Sequence, residues 1–115
     1  QITGVEGYMG NIATGLLAGI NAARQIQNEP LITLPQETML GALCHYITHA
    51  NLKDFQPMKA NFGILPPLEI KAQNGKRERG KIHAERAIAA LESYLEIHPE
   101  QNSYRTRTSA ENTDR

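Results

Sequence analysis

The chain has 115 residues with twelve basic and twelve acidic side chains, so it is one domain at most and its net charge gives no bias towards a nucleic-acid or membrane partner. Two Phe, no Trp and nine Gly make a thin core for a free-standing fold, which points to part of a larger domain. The single cysteine, Cys44, excludes an internal disulfide and fits a reducing, cytoplasmic compartment, and no apolar run is long enough to cross a bilayer.

The first segment, Gln1-Ile2-Thr3-Gly4-Val5-Glu6-Gly7-Tyr8, is a glycine-spaced turn running into a helix expected from Tyr8 to Gln27 and ended by Asn28-Glu29-Pro30. With no strand ahead of this turn, the chain is expected to be the tail of something longer. The helix is built of small residues (Ala13, Gly15, Ala18, Gly19, Ala22, Ala23) between Ile12, Leu16, Leu17 and Ile20, a composition that predicts burial on most sides against a sheet or another backbone. Leu31 to Leu34 reads as a short extended connector. A second helix is predicted from Pro35, suited to a first helical position, to Ala50, with Leu40, Leu43 and Ile47 as its apolar stripe. Lys53 to Pro67 is an irregular loop, Leu68 to Ala72 a candidate edge strand, and Asn74-Gly75 a turn. A third helix is predicted over Lys76 to Ile97, with Ala84, Ile88, Leu91 and Leu95 along one face. The reading is therefore mainly α within residues 1–97, three helices with irregular connecting loops, followed by a disordered polar tail over residues 98–115.

Four features could carry chemistry. The turn at residues 4–8 either presents helix-start amides to a cofactor, for example an electron-poor ring system that gains negative charge on reduction, or is an ordinary turn into a helix. Its spacing is not the G-x-G-x-x-G of a pyrophosphate loop. His45 and His49 share a helix face, but Tyr46 stands where a zincin needs Glu, so a polar pair is expected and no metal. Cys44 and His45 are adjacent and do not face each other, which argues against a nucleophile–base pair. The loop Asp54 to Pro67 holds both phenylalanines, and it is either a pocket wall for a planar heterocycle or a well-packed connection. Between Lys53 and Arg86 eight bases face four acids. Lys76, Arg77, Arg79 and Lys81 crowd a helix start, where cations oppose the dipole; they serve a polyanion such as RNA or form a solvated face.

The opening octapeptide with Ala13-Thr14-Gly15-Leu16-Leu17-Ala18-Gly19-Ile20-Asn21-Ala22-Ala23-Arg24 resembles the last flavin-binding motif of the folate- and FAD-dependent tRNA (uracil-5-)-methyltransferases. The glucose-inhibited-division-type tRNA uridine modifiers share its glycine-tyrosine-helix part. Leu40-Gly41-Ala42-Leu43, His45-Tyr46-Ile47-Thr48-His49-Ala50, Phe55-Gln56-Pro57-Met58 and Asn61-Phe62-Gly63 resemble the methyltransferase branch. Lys76-Arg77-Glu78-Arg79 and Glu85-Arg86-Ala87 extend the resemblance to about residue 95. The pattern departs at Gly10-Asn11, where Glu-Ser is usual, and at Lys59, where Asn is common; Cys44 matches neither catalytic cysteine of the family.

The resemblance implies the C-terminal part of an α/β, Rossmann-type FAD/NAD(P)-binding flavoprotein. Such an enzyme uses NAD(P)H to reduce FAD, takes a one-carbon unit from methylenetetrahydrofolate, and methylates C5 of a T-loop uridine in tRNA. It implies flavin contacts at Gly4, Val5, Glu6, Gly7 and Tyr8, mostly through main-chain amides. Folate or uracil contacts fall to Phe55, Gln56, Asn61 and Phe62, and tRNA contacts to Lys76, Arg77, Arg79 and Lys81. The partners implied are tRNA and the remainder of the same polypeptide, with no membrane and no metal. No catalytic residue falls in this stretch, so the chain alone is expected to be inactive. Two alternatives remain: the sibling enzyme that builds an aminomethyl-type wobble modification, against which the Phe55 to Gly63 loop argues, and a non-enzymatic helical RNA-binding module.

Overall fold

A computed structural model describes residues 2–69 and 75–102 of the chain. Its elements in order are α1 (Tyr8–Ile26), α2 (Met39–His49), a 3-10 turn (Phe62–Ile64), α3 (Lys76–Ile97) and a second 3-10 turn (Pro99–Asn102). The mainly helical reading holds, and the described residues contain no strand. Gln1, Asn74, the 70–72 part of the candidate edge strand and the 103–115 part of the tail lie outside the described residues. Leu68 and Glu69 are not strand, and Pro99–Asn102, at the start of the expected tail, is helical.

The three helices start in two ways. Gly7 (φ 85°) and Gly75 (φ 90°) precede α1 and α3 without any side-chain cap. Their backbones take a sign of φ that L-residues avoid, and the first-turn N–H groups point outward. The start of α2 lies four residues later than the sequence predicts, at Met39 rather than Pro35. Thr38 is the reason: its hydroxyl donates to the Pro35 carbonyl (2.7 Å) and accepts from the Gly41 N–H (3.0 Å), and this cap outcompetes a proline start. Gly41 is required beneath it, because a Cβ there would run into the Pro35 carbonyl and sit 2.7 Å from Thr38 Oγ1.

The end of α1 is held by its own side chains. Asn28 takes φ 55°, and the Glu29 N–H returns to the Arg24 carbonyl (2.9 Å). The buried Arg24 guanidinium donates from Nε to the Pro30 carbonyl (2.6 Å) and pairs through Nη1 with Glu29 (3.2 Å). Three residues earlier, Asn21 grips the main chain of Ile32 at both ends: its Nδ2 donates to the Ile32 carbonyl (2.9 Å) and its Oδ1 accepts the Ile32 N–H (2.7 Å). The connector is thus laid back along α1 by a carboxamide that imitates a neighbouring strand. Farther on, the Thr33 N–H donates to the Tyr94 hydroxyl (3.3 Å), which ties the connector to α3.

The core is small: Val5, Ala42, Leu43 and Leu65 are its buried apolar residues. Gly10 lets α1 close on it, since a Cβ there would stand 3.1 Å from Val5 Cγ1 and 3.3 Å from Leu43 Cδ2. The burial expected of α1 finds little cover among the described residues. In α1 only Gly10 and Arg24 are buried; Ile12 and Leu16 are 66% and 65% exposed, and no atom lies within 4 Å of a Cβ built on Gly15 or Gly19. In α3 the periodic face is also open, with Ala84, Ile88 and Leu91 exposed, and the buried residue is His83. Helical periodicity marks a face made for burial but does not name the element that covers it.

Candidate functional site

The turn before α1 and the loop after α2 form one unit. Val5 and Met58 make a parallel bridge in which the Met58 N–H donates to the Gly4 carbonyl (2.7 Å) and the Glu6 N–H donates to the Met58 carbonyl (2.9 Å). Gly4 (φ 98°) permits this approach: a Cβ there would collide with the Phe55 ring, whose Cε1 would be 2.9 Å away. Phe55 in turn stacks on Tyr46 of α2 (5.9 Å between centroids). The Tyr46 hydroxyl donates to the Gln56 carbonyl (3.0 Å) and accepts the Gln56 N–H (3.3 Å). Hence the α1 N-terminus is fixed relative to α2 through residues 55–58.

At the rim of this unit stands the α1 start. Val5 is fully buried and the Glu6 N–H is committed to Met58, so those two residues contribute structure. Gly7 and Tyr8 are exposed, and α1 has neither a side-chain cap nor an acid in its first turn. Among the described residues this leaves an uncapped, positive helix end, suited to an anion or to a ring carbonyl that gains charge. An acid or a capping hydroxyl would occupy those amides; neither is present, so the residues fit such a group.

The four loop residues singled out from the sequence divide into two roles. Phe55 is half-buried against Tyr46 and Gly4, and the exposed Gln56 is held by its main chain. Asn61 caps the 3-10 turn, its Oδ1 accepting the Gly63 N–H (2.8 Å) while its Nδ2 donates to the Lys59 carbonyl (2.7 Å). Phe62 lies on α3, its ring stacked on His83 (5.0 Å) over Gly80, and it remains 41% exposed. Arg86 completes this second contact by donating to the carbonyls of Pro66 (2.7 Å) and Pro67 (3.0 Å). Burial, then Arg86 and Arg79, push the His83 imidazole below its ordinary pKa.

Lys76, Arg77, Arg79 and Lys81 are all exposed on the first turns of α3. Lys81 stands 3.8 Å from Glu85, an exposed pair of little energetic weight. Glu78 is also in the first turn, so the helix start mixes both signs. Arg86 faces the proline segment and is not part of that cationic surface.

One feature went unread in the sequence. Between α1, the connector and α2 lies an open cleft of about 820 Å³. Its walls include Thr14, Leu17, Asn21, Leu34, Cys44, His45 and His49. This size is within the range that small ligands fill. The two histidines are stacked face to face (4.0 Å, 11°), and His49 Nδ1 lies 2.8 Å from Thr48 Oγ1. Among the described residues no third His, Cys, Asp or Glu joins them as a metal donor. Burial pushes the Cys44 thiol above its ordinary value, which disfavours the thiolate a nucleophile needs. The only local sign of the cleft was the run of polar positions on α1 (Asn11, Thr14, Asn21), and it takes the tertiary placement of α2 to enclose them.

Residues 1–30 match the family model described as glucose inhibited division protein A. Over longer stretches the chain is similar to methylenetetrahydrofolate–tRNA-(uracil-5-)-methyltransferases named TrmFO. It is 52% identical over 98 residues to the one from an Exiguobacterium species, covering 84% of this chain and 22% of that protein. To those of Bacillus velezensis and Bacillus subtilis it is 52% identical over 93 residues, covering 81% of this chain and 21% of each relative. The chain thus spans about a fifth of the length of the curated relatives it matches. Over this stretch the chain is similar to the methylenetetrahydrofolate–tRNA-(uracil-5-)-methyltransferases, the proteins its motifs resemble.

Proposed function

We propose that this chain supplies the C-terminal part of the flavin and folate pocket of an enzyme that methylates C5 of a T-loop uridine in tRNA. The single observation that carries the proposal is the Val5–Met58 bridge, which mounts an uncapped helix start beside the Phe55–Phe62 loop. That arrangement joins the two segments in which the sequence most resembles the methyltransferases.

In this reading the Gly7 and Tyr8 amides and the first turn of α1 would hold the carbonyl edge of the FAD ring, while Gly4, Val5 and Glu6 shape the turn. Bound there, FAD supplies the reducing equivalents for converting the one-carbon unit of methylenetetrahydrofolate to a methyl group, after reduction by NAD(P)H. The residues of this chain orient the ring and offer positive potential where negative charge accumulates. Phe62 and Gln56, with side chains open to solvent, are the loop groups that reach folate or uracil, and Phe55 and Asn61 hold the loop in shape. Lys76, Arg77, Arg79 and Lys81 attract the tRNA backbone.

The test is to purify the intact polypeptide and assay tRNA for 5-methyluridine with methylenetetrahydrofolate and NAD(P)H. A flavin-coloured protein that forms methyluridine supports the proposal. A colourless protein that cannot be reconstituted with FAD overturns it. The match of residues 1–30 to glucose inhibited division protein A favours one second reading, the sibling uridine modifier. An aminomethylated wobble base in place of methyluridine would identify it.

A further inference from the structure

We infer that Arg86 and a neutral His83 are the positioning residues of the 61–67 loop, docking it on α3 only while His83 Nδ1 carries no proton. What this means for ligand binding rests on the reading of Phe62 as part of a pocket wall. The docking itself does not.

The argument starts with the two prolines. Pro66 and Pro67 have no N–H, so their carbonyls are the main-chain groups by which this segment can be held. Arg86 takes both, Nη2 to Pro66 at 2.7 Å and Nη1 to Pro67 at 3.0 Å. The same Nη2 lies 3.3 Å from His83 Nδ1. A guanidinium is always protonated and only donates, so Nδ1 must present its lone pair and the imidazole proton sits on Nε2. The His83 ring also carries the stacked Phe62, which lies over Gly80 at ordinary contact distance, 3.6 Å from a Cβ built there. One imidazole therefore supports Phe62 with its face and steadies the Pro66–Pro67 clamp with an edge nitrogen.

A proton on Nδ1 would turn an acceptor into a donor facing a donor and would put two positive charges at van der Waals distance. Two charged groups act on His83, Arg86 and Arg79, both cations of its own helix; the loop packed against it brings the uncharged Phe62. Among the described residues, both charged groups that act on the ring oppose a positive charge there. The docked pKa lies below the ordinary value of 6.5, so the docked state binds fewer protons than the open one. Docking is complete above that value, weakens as pH falls through it, and goes on weakening until the docked pKa is passed.

The experiment follows amide hydrogen exchange of the 61–67 segment in the intact protein from about pH 8 to about pH 5, corrected for intrinsic exchange, alongside the His83 titration by NMR. Protection should be level at high pH and then fall by up to about tenfold per pH unit below the ordinary histidine value. His83→Asn keeps an acceptor near the Nδ1 position and has no proton to gain, so its profile should be flat. Arg86→Lys, a single point donor, should lower protection at every pH. The inference is overturned if His83→Asn keeps the wild-type pH profile, if the step does not coincide with the His83 titration, or if Arg86→Lys leaves protection unchanged. Tetrahydrofolate affinity measured at the same pH values separates the two claims. A protection step without an affinity step upholds the docking pair and removes Phe62 from the ligand wall; parallel steps support both.

Discussion

Gly4, Gly41 and Thr38 are single residues on which the local structure turns. At Gly4 a side chain would meet both an unfavourable φ and the Phe55 ring. Gly4→Ala is expected to destabilise by about 2–4 kcal/mol, the sum of a left-handed penalty and overpacking, read by thermal melting of the intact protein. Gly7 differs. It shares the positive φ, but its Cβ would meet only Lys59 Cγ at 4.0 Å. Gly7→Val should therefore perturb the helix start more than the core. The check is flavin content per protein, expected to drop severalfold while most thermal stability is kept. Thr38→Ala removes the cap of α2 and is expected to cost about 1 kcal/mol. The sequence signalled the glycines by their spacing, but Thr38 was overshadowed by Pro35. Only the contact of Thr38 with both the Pro35 carbonyl and the Gly41 N–H shows which residue starts the helix.

Among elements, the connector after α1 and the loop after α2 show how irregular backbone is held without a sheet. Asn21 satisfies both main-chain groups of Ile32, and Tyr46 both main-chain groups of Gln56. Replacing Asn21 by Leu leaves two partly buried groups unpaired, with an expected loss of about 1–3 kcal/mol in chemical denaturation. On α3 the cationic first turns are open to solvent. The double reversal Arg77→Glu and Arg79→Glu should weaken tRNA binding by the intact enzyme and flatten its salt dependence by roughly two charges' worth of slope. Unchanged tRNA affinity would remove α3 from the RNA surface. Periodicity found all three helices, because repeating apolar and small residues are a local property. It does not show that His83 is the buried residue of α3, because its cover is Phe62 from a distant loop.

For the molecule as a whole, the outward face of α1 is apolar and open. Among the described residues nothing covers Ile12, Gly15, Leu16 or Gly19, and the curated relatives are several times longer. If that face is covered in the intact protein, Leu16→Glu, at a position 65% exposed here, should destabilise it by about 2–3 kcal/mol through lost burial. Unchanged melting would mean the face is open.

The sequence by itself determined the three helices, the glycine turns and the resemblance to the tRNA (uracil-5-)-methyltransferases, because periodicity, backbone freedom and motif identity are written along the chain. Tertiary structure alone decided that Met58 pairs with Val5, that Phe55 stacks on Tyr46 and Phe62 on His83, that a cleft opens between α1 and α2, and that Arg86 holds the two prolines. Each of these joins residues far apart in sequence. Such contacts depend on which surfaces exclude water together, and no local pattern encodes the identity of the partner.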